Sequence, residues 1–175
     1  MTARHVLQQA DITRALTRIS HEILESNRGT AGLVILGIPT RGVTLATRLG
    51  VTLNAIEPGT VSVGSLDVTM YRDDLAKNPT RAPGRTTIPV GGIDGKTVVL
   101  VDDVLYSGRT IRSALDALSD LGRPRTVRLA VLVDRGHREL PIRADFVGRN
   151  LPTSSSERIM VRLAEIDGVD EVTIE

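Results

Sequence analysis

Apolar residues along this chain follow two rhythms. Three short runs are apolar at nearly every position: 32–38 (GLVILGI), 97–101 (TVVLV) and 127–133 (VRLAVLV). Runs without polar alternation fit strands covered on both faces, as in a parallel sheet. Between them the spacing turns helical. Ile12, Ala15, Leu16, Ile19, Ile23 and Leu24 form one face of a helix predicted over 12–26, with Asp11 as its N-cap. A second helical stretch follows Pro39-Thr40-Arg41-Gly42 and ends near Leu49. A third carries Ile111, Ala114, Leu115, Leu118 and Leu121, and Gly122 and Pro124 stop it. Residues 63–71 alternate, which predicts an edge or antiparallel strand. Short strands are predicted at 146–147, 158–163 and 172–174. Strand and helix alternate, so the expected class is α/β: a largely parallel sheet flanked by helices.

One stretch has no rhythm. Residues 76–92 hold Pro79, Pro83, Pro89, Gly84, Gly91 and Gly92. So long a loop inside a compact domain is either disordered or a functional lid. The lid reading covers 72–92 and lets Arg72, Arg81 and Arg85 carry positive charge onto a ligand. The late short strands then form a small hood over 135–175, and the whole chain, 1–175, is one domain.

Composition narrows the chemistry. Lys+Arg 22 against Asp+Glu 21 leaves a net charge of +1, so a nucleic-acid surface requires local clustering. On the first helix Arg14, Thr17, Arg18 and His21 share a stripe, either a solvated face or a phosphate-contacting one. No cysteine is present, which excludes disulfides, thiolate chemistry and Cys-ligated zinc. Aromatics are 2%, too few for base stacking to drive nucleic-acid binding. No run reaches membrane-span length and no signal-peptide core is present, so a cytoplasmic protein without a membrane partner is expected.

The chemistry concentrates at the end of the 97–101 run. Asp102 and Asp103 follow it, then Val104, Leu105 and Tyr106, then Ser107-Gly108-Arg109-Thr110 where a helix begins. A small-residue turn opening a helix points backbone N–H groups one way, at the positive end of the helix dipole, and suits a phosphate. The carboxylates suit sugar hydroxyls, or Mg²⁺ through water. A phosphorylated ribose needs both. The plainer alternative is a strand, an N-cap and two solvated acids. Pro39-Thr40-Arg41-Gly42 places a second tight turn, with an arginine, at the end of another strand. Gly95-Lys96-Thr97 ends like a P-loop, but it precedes a strand and Val90 stands where the first glycine belongs.

The stretch VDDVLYSGRT (101–110) resembles the phosphoribosyl pyrophosphate (PRPP) signature of type I phosphoribosyltransferases. ALTRISHEI (15–23), GIPTRG (37–42), YRDDL (71–75) and DRGHRELPIRADFVGRNLPTS (134–154) extend the resemblance over nearly the whole chain, to the PyrR family. That family is the pyrimidine operon attenuation regulator with uracil phosphoribosyltransferase activity. The resemblance implies uracil plus PRPP giving UMP and pyrophosphate, with Mg²⁺ carried by PRPP near Asp102 and Asp103 and no confident direct protein ligand. It places Asp102 and Asp103 on the ribose and metal waters and Val104, Leu105, Tyr106, Ser107, Gly108, Arg109 and Thr110 on the 5′-phosphate. Thr40 and Arg41 meet pyrophosphate, Arg72 and Arg85 arrive on the lid, and Arg135 and Ile159 border the base pocket. No general base stands out, and His137 reads as structural or solvated.

The resemblance also implies a homodimer, or a higher assembly, that binds pyrimidine operon leader mRNA, not DNA, under the influence of UMP or UTP. The matching RNA-binding positions are Thr17, Arg18, His21, Arg138, Arg143 and Arg149. A uracil salvage enzyme without the RNA role is the alternative. Purine or orotate substrates and a nucleotide-sensing module stand behind it.

Overall fold

The computed structural model describes residues 2–73 and 84–175. Arg81 and the middle of the expected lid therefore lie outside the described residues. In chain order the elements are β1 (Arg4–Gln8), α1 (Gln9–Asn27), β2 (Leu33–Gly37), α2 (Arg41–Ile56), β3 (Ser62–Ser65) and β4 (Thr97–Leu105). There follow α3 (Arg109–Leu121), β5 (Thr126–Asp134), β6 (Phe146–Asn150), β7 (Ile159–Arg162), α4 (Ala164–Asp167) and β8 (Glu171–Ile174).

Among the described residues a five-stranded sheet runs β3-β2-β4-β5-β6, each neighbouring pair parallel. The three apolar runs are its central strands, as predicted. Successive residues point to opposite faces, and both faces are covered. Ile35, Val99 and Leu132 pack with Ile12 and Ile19 of α1 and Leu45, Leu49 and Leu53 of α2. Val34, Leu36, Val98, Leu100 and Val131 pack with Ile111, Ala114 and Leu118 of α3 on the other face.

Boundaries depart from the sequence reading for identifiable reasons. The first helix begins at Gln9, and Asp11 is not its N-cap. It is the third helical residue, and its carboxylate accepts the Gln8 N–H at 2.9 Å as the return half of a capping box. The second helix continues to Ile56 past Gly50, Val51 and Thr52, because Leu53 keeps the buried face going one turn after Leu49. Gly50 itself is buried against Val63, where an added Cβ would lie 2.4 Å from Val63 Cγ2. On α3, Leu115 and Leu121 are exposed, and Ala117 and Ser113 take the buried places.

The alternating stretch gives only four strand residues before a 3-10 turn at Thr69–Tyr71. It is an edge strand, parallel to β2. Its outer side carries an antiparallel bridge from Ser65 to Thr87. The hood differs most. β6, expected within it, pairs in parallel with β5 as the far edge of the main sheet. The second sheet is β1-β8-β7, antiparallel, so the hood's third strand comes from the N-terminus. No signal in RHVLQ announced β1: only Leu7 is buried there, too little for a period-2 pattern.

Candidate active site

Two loops meet at the carboxyl ends of β2 and β4, the edge where open α/β sheets bind ligands. The first, between β2 and α2, is pressed onto β4. An added Cβ on Gly37 would lie 2.4 Å from Gly42 O, and one on Gly42 would lie 2.4 Å from Val101 O. Only residues without a Cβ allow this approach. Ile38 N–H then donates to Val101 O at 2.9 Å, which fixes Thr40 and Arg41 beside the strand's acidic end.

β4 is longer than the apolar run. It carries Asp102 and Asp103 inside the strand and ends at Leu105, so the acids are not a solvated tip. Asp102 is 9% exposed and Asp103 half-buried. Each carboxylate turns back onto the following amide: Asp102 Oδ1 accepts Asp103 N–H and Asp103 Oδ1 accepts Val104 N–H, both at 2.9 Å.

The second loop follows at once. Gly108 takes φ +93° as the N-cap of α3, a left-handed conformation that a side chain resists. Ser107 O accepts the N–H groups of Glu139 (2.9 Å) and Leu140 (3.2 Å), so the segment after β5 braces the loop from outside. Two adjoining cavities result, each about 290 Å³. One is lined by Thr40, Arg41, Asp102, Asp103 and the lid-side Gly84. The other is lined by Leu105, Tyr106, Ser107, Gly108 and Arg109. Arg72, Asp102, Val104 and Thr110 line both. One trough thus joins an arginine-bearing loop, two carboxylates and a helix N-terminus.

The remaining candidates divide. Arg109 lines the cavity, yet its guanidinium is held by Asp73 (2.6 Å) and Glu139 (3.1 Å), which push its pKa up. Arg41 is paired with Asp167 of α4 at 2.7 Å. Arg85 is exposed and lines neither cavity; its carbonyl accepts Ser65 Oγ–H at 2.7 Å. Arg135 is only 7% exposed. It donates to Thr153 Oγ1 and to Ser154 O, each at 3.0 Å, and lies 4.2 Å over the Tyr106 ring. Its link to the trough runs through Tyr106. His137, at φ +64°, meets Thr153 O and packs its ring on Tyr106. Ile159 packs on the core from β7 and lines neither cavity. Among the described residues no three acidic or histidine side chains cluster as a metal cage.

The RNA candidates also divide. Thr17, Arg18 and His21 lie exposed along α1, beside β6. Arg18 donates to Val147 O (3.1 Å), Gly148 O (2.6 Å) and Glu22 (2.8 Å), so it pins the helix to the sheet edge. Arg149 and Arg143 are exposed. The Asp11 carboxyl is held below its ordinary range first by the Gln8 N–H, then by Arg14, with a contribution from Arg149. Arg138 sits apart. Its guanidinium donates to Ile142 O (2.7 Å), Tyr106 O (2.9 Å) and Asp134 (2.6 Å), a knot that holds the loop after β4 to the end of β5. The sequence does not single out Asp73, Asp167, Glu139, Thr153 or Ser154; the arginines they hold lie 18 to 126 positions away, and no local spacing signals those pairs.

Residues 3–162 match the phosphoribosyl transferase domain. The bifunctional protein PyrR of Leifsonia xyli subsp. xyli is 75% identical, covering 100% of this chain and 98% of that one. That of Streptomyces coelicolor is 65% identical over 98% of this chain and 89% of its own length. The hypoxanthine phosphoribosyltransferase of Trypanosoma cruzi superposes with a TM-score of 0.75 at 16% identity, covering 98% of this chain and 95% of that one, a likeness of fold alone. The relatives match this chain over nearly its whole length: the chain belongs to the phosphoribosyltransferases and, within them, to the PyrR family.

Proposed function

We propose that the protein transfers the phosphoribosyl group of PRPP to uracil, forming UMP and pyrophosphate, and that as a cytoplasmic homodimer it also regulates pyrimidine operon expression through leader mRNA, under UMP or UTP. The observation that carries the catalytic half is the placing of Asp102 and Asp103 between two anion-suited loops in one trough. PRPP has that order of charge: a 5′-phosphate, a diol and a diphosphate. The 107–110 loop receives the phosphate through backbone N–H groups at the start of α3. Asp102 and Asp103 accept the ribose hydroxyls. Thr40 and Arg41 take the pyrophosphate, and Arg72 lies where both cavities meet. As the C1 bond breaks, positive charge grows on the ribose and negative charge on the leaving group. The carboxylates lie near the first and the arginines near the second, fixed before reaction. Mg²⁺ fits a site whose near donors are hard carboxylate oxygens, and it supplies charge neutralisation of the diphosphate when bound. Asp103→Asn is expected to lower kcat/KM for UMP formation at least 100-fold with folding retained. Near-wild-type turnover would refute the carboxylate role.

The regulatory half is supported by the seating of α1 on β6, which collects Thr17, Arg18, His21 and Arg149 on one exposed surface. Arg138 supports that surface only indirectly. Leader RNA should bind more tightly with UMP, and its affinity should fall steeply with salt. Binding indifferent to UMP and to sequence would leave a uracil salvage enzyme.

A further inference from the structure

Arg41 is a cavity-lining cation whose charge is matched by an acid from the far end of the chain. Its Nη2 and Nε donate to the two oxygens of Asp167, at 2.7 and 3.2 Å, a two-point fork. Asp167 is itself immobile in orientation, because its Oδ2 accepts Leu163 N–H at 2.8 Å. Arg41 leads this group to be held below the ordinary carboxylate range, with the Leu163 amide second, so it is charged at neutral pH. Seven residues along α2, on the same helix face, Arg48 pairs with Glu165 (2.6 Å) and Asp170 (2.8 Å). The hood thus clasps α2 twice. The Arg48 clasp lies outside both cavities and does not touch the trough. The Arg41 clasp ends on a trough residue.

Resting on the transferase reading, we propose that Asp167 is a positioning residue that sets Arg41 for the departing pyrophosphate. The fork engages Nε and Nη2 and leaves the Nη1 N–H groups for another acceptor. A long side chain without such a partner samples many rotamers, and only one suits a reacting geometry. The same carboxylate repels a diphosphate, so it orients the arginine while weakening its grip. These effects have opposite signs, and that separates positioning from simple support of the fold. A structural prop, when lost, weakens turnover and anion binding together.

The test compares wild type, Asp167→Asn and Asp170→Asn by steady-state UMP formation, by inhibition with Mg-pyrophosphate, and by ¹⁵N NMR of the Arg41 Nε–H. Asp167→Asn is expected to lower kcat about tenfold, with pyrophosphate inhibition unchanged or tighter. Asp170→Asn, which weakens the Arg48 clasp but keeps an amide oxygen for the Ala164 N–H, should keep both. The Arg41 Nε–H should be sharp in wild type, move on adding Mg-pyrophosphate, and broaden in Asp167→Asn alone. An unchanged kcat in Asp167→Asn, or a kcat and a pyrophosphate affinity that fall together, overturns the proposal. So does an Arg41 resonance indifferent to Asp167. Wild type that binds pyrophosphate but forms no UMP would instead refute the transferase reading, and the resonance would still decide whether Asp167 sets Arg41.

Discussion

Gly42→Ala puts a single methyl group where the first turn of α2 meets β4. The new Cβ would stand 2.4 Å from Val101 O, against an ordinary contact of 3.4 Å or more. The neighbour is backbone in a central strand, hydrogen-bonded to Ile38 and flanked by β2 and β5, so no rotamer change relieves the clash. The helix must move off the strand by about 1 Å, carrying Thr40 and Arg41 with it. Overpacking of this kind costs about 1–3 kcal/mol. Alanine's helix propensity offsets less than about 1 kcal/mol of that. The expected net loss is about 1–2 kcal/mol, or a fall in Tm of roughly 2–8 °C for a chain of this size. Function should suffer more than stability, since a 1 Å misplacement costs about 100-fold in rate. Gly50→Ala is the control in the same helix: its clash, also 2.4 Å, is with the end of the Val63 side chain, which can turn aside. The assay is thermal denaturation together with UMP formation at saturating uracil and varied PRPP. A Gly42→Ala protein within threefold of wild type in kcat/KM, or no worse than Gly50→Ala, would refute the view that backbone contact sets the loop.

Other expectations follow from the ion pairs and turns. Arg138→Met removes three charge-assisted hydrogen bonds around Asp134, Tyr106 O and Ile142 O; it should cost about 2–3 kcal/mol in denaturant unfolding, and RNA and PRPP binding should weaken together. Arg149→Glu, on an exposed side chain, should leave stability within about 0.5 kcal/mol and flatten the salt dependence of RNA binding by about one ion. Asp170 is held below the ordinary aspartate value, chiefly by its hydrogen bond to Arg48. The hood clasp is therefore fully present above that value and is lost as pH falls through the depressed one. Arg48→Met should lose stability at neutral pH and show a shallower acid decline than wild type, read as Tm against pH from about 5 to 2. Parallel curves would rule out the linkage.

Much of the fold was legible because its signals are local. Each central strand announces itself by apolar residues alone, since a strand covered on both faces has no polar side to show. The two glycine-bearing turns and the acid pair are also local, because a backbone that must approach another backbone or a phosphate admits few residue types. The sequence by itself therefore determined the α/β class and pointed to Thr40, Arg41, Asp102, Asp103 and 104–110, which line the cavities together with Asp67 and Thr69, read from the sequence only as strand positions. Tertiary structure decided what each charge does. Arg138 and Arg135, indistinguishable in sequence from surface arginines, are tied into carbonyls and a ring; Arg41 and Arg109 meet carboxylates 126 and 36 positions away. β6 left the expected hood for the main sheet, and β1, which nothing in the sequence announced, joined the hood, for the same reason. A short strand takes its partner from whichever open edge the folded chain brings near, and an arginine takes whichever acceptor lies within its reach, and neither distance is written in the order of the residues.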